Sequence, residues 1–139
     1  MVCIIGYNVS VLELVDILKS QDSIEYLAIQ KAILRYRKKY ARKCAKLNDD
    51  AVILEMVEYT EFLEDLLDAV GEEITLNGVK CDVYHCHDSD DLYIGKILCY
   101  DADGFFSPNE IVKYSKVLAD LDPSLKPQKL LVHLIPCHR

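Results

Sequence analysis

No stretch of this 139-residue chain approaches the roughly 18 consecutive apolar residues that a membrane-crossing helix requires. The opening Met1-Val-Cys-Ile-Ile-Gly lacks both the positive start and the long apolar segment of a secretory signal. The chain therefore reads as cytoplasmic, without membrane attachment. Catalytic signatures are missing as well: there is no Gly-rich phosphate loop, no Gly-x-Ser-x-Gly and no His-Glu-x-x-His. Cys-x-x-Cys pairs are also absent, and the six cysteines (Cys3, Cys44, Cys81, Cys86, Cys99, Cys137) are irregularly spaced. A chain this long and 51% hydrophobic needs no disulfide staples, so they read as mostly reduced, partly buried small hydrophobes. No repeat, low-complexity tract or linker divides residues 1–139, which read as a single domain.

Charge of one sign is missing in two consecutive blocks. No acid lies between Glu25 and Asp49, where Lys31, Arg35, Arg37, Lys38, Lys39, Arg42, Lys43 and Lys46 supply eight of sixteen cations. No Lys or Arg lies from Asp49 to Glu73, which hold ten acids. The net charge of −7 hides this, because outside the basic block eight cations face 23 acids, leaving −15. Such segregation governs the choice of partners more than the fold. It excludes a general nucleic-acid coat and confines any phosphate contact to the 31–46 face.

Hydrophobic spacing supplies the architecture. Val2-Cys-Ile-Ile-Gly predicts a short buried strand, and Ser10-Val-Leu-Glu13 is a capping box that opens a helix ending near Gln21-Asp22. Ile29, Ile33, Tyr36, Tyr40, Cys44 and Leu47 form one apolar stripe, predicting a helix from about Ser23 to Leu47. Asn48-Asp49-Asp50 breaks it and caps the next. There Val52, Met56, Tyr59, Leu63, Leu66 and Val70 make a second stripe, stopped by Gly71. Asn77-Gly78 is a hairpin turn, and Leu92–Tyr100 a strand. Ser107-Pro108-Asn-Glu110 caps a helix through Ile111, Tyr114, Val117, Leu118 and Leu121. Leu130–Ile135 has the unbroken apolar character of a central strand. The expected fold is α+β: a mixed or antiparallel sheet of 4–5 strands packed against helices, with a long antiparallel helical hairpin. Whether that hairpin packs on its own sheet or on a second subunit stays open, and a homo-oligomer is possible.

The charged hairpin carries the functional reading. Arg35, Lys38, Lys39, Arg42 and Lys43 can track phosphates while Tyr36 and Tyr40 stack on bases, making a nucleic-acid-binding module one alternative. The ordinary alternative is that the ridge faces its acidic neighbour, through pairs worth only about 0–1 kcal/mol each. The acidic run could instead mimic nucleic-acid charge before a basic protein. A third possibility is a zinc site, since Cys81, His85 and His87 would share a strand face. Cys86 between His85 and His87 is poorly placed for nucleophilic catalysis, because neighbours on a strand point to opposite faces. Cys99 to Glu110 resembles an EF-hand calcium loop at five places, with acids at positions three and five, glycine at six, an apolar residue at eight and glutamate at twelve. Position one is Cys99 rather than aspartate, and no function is carried across.

The expectation is a non-enzymatic interaction protein, of inhibitor, immunity or adaptor type, without a cofactor. It binds a protein partner through charged helical surfaces, with Glu55, Glu58, Glu61, Glu64, Asp65 and Asp68 as the preferred contact.

Overall fold

The structure, a computed structural model, describes residues 2–59, 73–86, 91–99 and 108–136. The chain divides into two compact units, Met1–Ser10 with Glu72–Arg139, and Val11–Gly71.

The first unit is built on a five-stranded antiparallel sheet of order β2-β3-β4-β1-β5. Its strands are β1 (Val2–Val9), β2 (Glu73–Leu76), β3 (Val79–His85), β4 (Leu92–Cys99) and β5 (Leu131–Ile135). Asn77-Gly78 makes the expected two-residue turn: both residues have positive φ, 49° and 78°, as a type I′ hairpin demands. The Asn77 side-chain amide also donates to the Asp120 carbonyl at 2.9 Å, tying the turn to a distant segment. β1 extends three residues beyond the predicted strand and is buried on both faces apart from Asn8. On one face Val2 and Ile4 cluster with Ile135, and Tyr84, Tyr93 and Ile97 pack against them. On the other, Tyr7 stands opposite Ile94, which in turn faces Val83. Helix α5 (Pro108–Leu118) starts at the predicted proline and packs on β1, where the buried Tyr7 hydroxyl donates to the Leu118 carbonyl at 2.7 Å.

β5 departs from expectation. Its apolar run predicts a central strand, yet it lies at the sheet edge with Leu131, Val132 and Leu134 exposed. An apolar run marks β propensity; position in the sheet is set by which strands find partners. The central strand is β4, and β1 lies between it and the edge strand β5.

Buried Cys81 makes the first unit sensitive to alkali. Burial pushes its thiol up to about 11 from an ordinary value of 9.0, and the carboxylates of Asp82 and Glu73 add to the shift. Below pH 9 both folded and unfolded thiols are protonated, and the stabilisation is whole. Between pH 9 and 11 only the unfolded chain releases the proton, so stability falls as pH rises. The expected loss is about 2 kcal/mol after allowance for residual solvent screening. Urea titrations from pH 8 to 11 check this, with Cys81→Ala expected to flatten the alkaline slope.

The second unit is helical: α1 (Val11–Ser20), α2 (Ile24–Lys39), the single turn α3 (Ala41–Cys44) and α4 (Asp49–Tyr59). Helix α1 begins right after Ser10, where the capping box places it. The Asn48 side-chain oxygen accepts the Ala51 N–H at 2.8 Å, the predicted cap of α4. Ile29, Ile33, Tyr36 and Cys44 of the first stripe are buried, as are Val52 and Met56 of the second. The expected long hairpin is not found, because the described helices are short. The basic helix breaks at Tyr40 (φ −120°, ψ 51°), leaving α2 with 16 residues, about 24 Å. Residues 60–70 of the predicted acidic helix lie outside the described residues.

Candidate interaction surface

Two ion pairs, Arg37–Asp49 and Lys43–Glu55, tie the helical unit together. Arg37 donates to the carbonyls of Cys44 (3.2 Å) and Leu47 (2.9 Å) and to the Asp49 carboxylate (2.7 Å). One guanidinium thus joins the Cys44 carbonyl, which also accepts the Leu47 N–H at 3.0 Å, to the Leu47 carbonyl and the first residue of α4. Lys43 reaches Glu55 at 2.7 Å and lies 4.2 Å from the centre of the Tyr59 ring. The hydrogen bond to Glu55 raises the lysine's pKa. Opposite-sign pairing between the two blocks therefore exists, through Arg37–Asp49 and Lys43–Glu55.

The rest of the ridge points elsewhere. Lys31, Arg35, Lys38 and Arg42, spaced 4, 3 and 4 residues apart, are all exposed, and among the described residues none pairs with a carboxylate. Lys39 is exposed too, with its ammonium 5.5 Å from the Tyr40 ring. Leu27 and Leu34 lie beside this ridge, 55% and 66% exposed. They flank Lys31 at i−4 and i+3, making a second, outward stripe of alternating apolar and cationic residues. With Ile33, Arg37 and Asp49, these residues line a cleft of about 340 Å³. Sequence spacing already contained this stripe, but it was masked by the stronger Ile29–Ile33–Tyr36 pattern.

Of the two tyrosines, Tyr40 is exposed and Tyr36 is not open to a base. Tyr36 is buried, which pushes its hydroxyl pKa up, and its ring lies 4.7 Å from that of Tyr40. Stacking on a base needs an open ring face, and Tyr36 has none to offer. Of the predicted acidic contact, Glu55 is half-buried against Lys43 and Glu58 is exposed. Glu61, Glu64, Asp65 and Asp68 lie outside the described residues.

The zinc candidates divide similarly. Cys81 and His85 share a face of β3 but stand four residues apart, about 13 Å along a strand. His87 and most of the calcium-like loop lie outside the described residues. Among the described residues, no group of three His, Cys, Asp or Glu side chains is disposed to hold a metal ion. The helical unit contains no histidine, and its one cysteine, Cys44, is buried. What the surface can do is hold an anionic group beside an apolar one. Comparisons with protein-family models, curated proteins and solved structures return no match.

Proposed function

We propose that this chain is a non-enzymatic interaction protein whose helical unit binds an acidic, amphipathic segment of a protein partner. The observation that carries the reading is the outward stripe of α2, where Leu27 and Leu34 interleave with Lys31 and Lys38 beside Arg35 and Arg42. Cations alone would suit any polyanion. Apolar side chains set among them favour a partner that offers carboxylates and aliphatic groups together, as an amphipathic helix does. Complementary charge speeds the encounter, and the leucines supply the burial that holds it. Nucleic acid is the weaker fit, since Tyr36 is buried and the Tyr40 ring leans against it, tilted by 46°.

The test is fluorescence anisotropy with three probes: a helical peptide alternating Glu and Leu faces, poly-glutamate, and single-stranded RNA. The amphipathic peptide is expected to bind tightest and to keep part of its affinity in high salt, where screening removes the ionic share. Tighter binding of RNA, with a steep salt slope, would replace this reading by the phosphate-binding one.

A further inference from the structure

We propose that Cys3 and Cys99 are a redox modification site, closing a reversible disulfide between β1 and β4. The two residues lie 96 positions apart in the chain, yet the antiparallel register sets them directly opposite each other. This pairing depends on an irregularity. Ile4 faces Ile97, so a regular ladder would set Leu98 across from Cys3; the register instead shifts by one residue, leaving Leu98 over and bringing Cys99 into place.

Opposed residues of an antiparallel pair have Cα atoms about 4.5–5.5 Å apart, inside the 4.4–6.8 Å range that a disulfide spans. Their Cβ atoms ordinarily stand about 4.5–5.5 Å apart, whereas a disulfide wants about 3.8 Å. Closure therefore pinches the strands and yields a strained bond of the readily reduced kind. The two groups act on each other: after burial, the charge of Cys99 and a hydrogen bond to it help to raise the Cys3 thiol's pKa. Burial holds the Cys3 thiol in its protonated form, whereas Cys99 is only half-buried and open to small oxidants. The roles follow from that asymmetry. Cys81 faces Ile74 across its ladder, so its strand partner is not a thiol.

Hydrogen peroxide is the oxidant. The Cys99 thiolate attacks one peroxide oxygen, the O–O bond breaks, and after proton transfer water leaves and Cys99 carries a sulfenic acid. The Cys3 sulfur then attacks the Cys99 sulfur; the S–S bond forms, the S–O bond breaks, and the thiol proton departs with hydroxide as a second water. Two thiols are oxidised by two electrons in all, and one peroxide is reduced to two waters.

The test uses the full chain, reduced and then treated with two equivalents of hydrogen peroxide, enough to carry a thiol to the sulfinic acid where no second thiol intercepts it. Free thiols are blocked with N-ethylmaleimide under denaturing conditions, and the unreduced digest is mapped by mass spectrometry. The expected product is the Cys3 peptide joined to the Cys99 peptide, two hydrogens lighter than the separate pair and released by dithiothreitol. Two free thiols per chain are lost with it. Cys99→Ser is expected to abolish the linked species and leave Cys3 free for the maleimide, and Cys3→Ala to let Cys99 over-oxidise. The proposal is overturned if wild-type protein gives Cys99 only as sulfinic acid, links it to Cys86 or Cys137 instead, or keeps both thiols free. The wild-type map decides the matter even where a variant fails to fold.

Discussion

Alanine at Gly95 is expected to prevent the sheet from assembling. Gly95 and Gly6 face each other across β4 and β1. A Cβ at Gly95 would lie 2.6 Å from the Gly6 Cα, and closer still to the Ile5 carbonyl oxygen. The reciprocal Cβ at Gly6 would meet the Gly95 Cα at 2.9 Å and crowd the Ile94 carbonyl. These obstacles are backbone, which no rotamer change relieves. Nor can β1 retreat, because β5 pairs with its other side from Gly6 to Val2. Overpacking in a core ordinarily costs about 1–3 kcal/mol, and a rigid backbone clash belongs above that range. Against a total stability of about 5–15 kcal/mol, Gly95→Ala is expected to give mostly unfolded or insoluble protein. Gly78→Ala is the graded control: the space around it is open, so its only penalty is the positive φ, about 1–2 kcal/mol. Urea midpoints for the two variants check the ranking. An unchanged midpoint for Gly95→Ala would mean that the two strands do not approach as described.

Reversing Arg35, Lys38 and Arg42 to glutamate is expected to abolish capture of the acidic amphipathic peptide while the fold persists. All three side chains are exposed, and none pairs with a carboxylate among the described residues, so each reversal should shift stability by no more than about 0.5 kcal/mol. The binding effect is larger, because attraction becomes repulsion at three adjacent points. At low salt, affinity should fall on the order of 10²–10³-fold, much of it in the association rate. Arg37 is left unaltered, since it holds Cys44, Leu47 and Asp49 together and its loss would confound binding with folding. Leu27→Ser with Leu34→Ser separates the two contributions, lowering affinity while leaving the salt dependence unchanged. Retained peptide binding by the triple reversal at intact circular dichroism would remove α2 as the contact.

Local features were legible in the sequence because their causes are local. Asn77-Gly78 announces its turn through a dipeptide suited to two successive positive φ values. Ser10 and Asn48 mark helix starts, and Ile29, Ile33 and Tyr36 mark the buried face. The break at Tyr40 was not legible. Tyr36, Tyr40 and Cys44 keep perfect helical spacing, with no glycine or proline nearby, and the chain turns where Arg37 gathers carbonyls from seven and ten residues away. Strand order was equally hidden, since the apolar run of β5 is compatible with any place in a sheet. The Cys3–Cys99 pairing lies deeper still: it depends on one surplus residue in β4, and cysteine spacing along the chain carries no trace of it.

The place of β1 has a consequence for how the molecule comes into being. Its two neighbours are β4, which begins 83 residues after β1 ends, and β5, still further along. A ribosome therefore delivers this interior strand long before either of its neighbours exists. Pairings of such sequence separation slow the search for the native topology. During that wait, Val2, Ile4 and Ile5 have no sheet to enter, and a nascent chain so exposed is a natural client for chaperones that shield apolar strands.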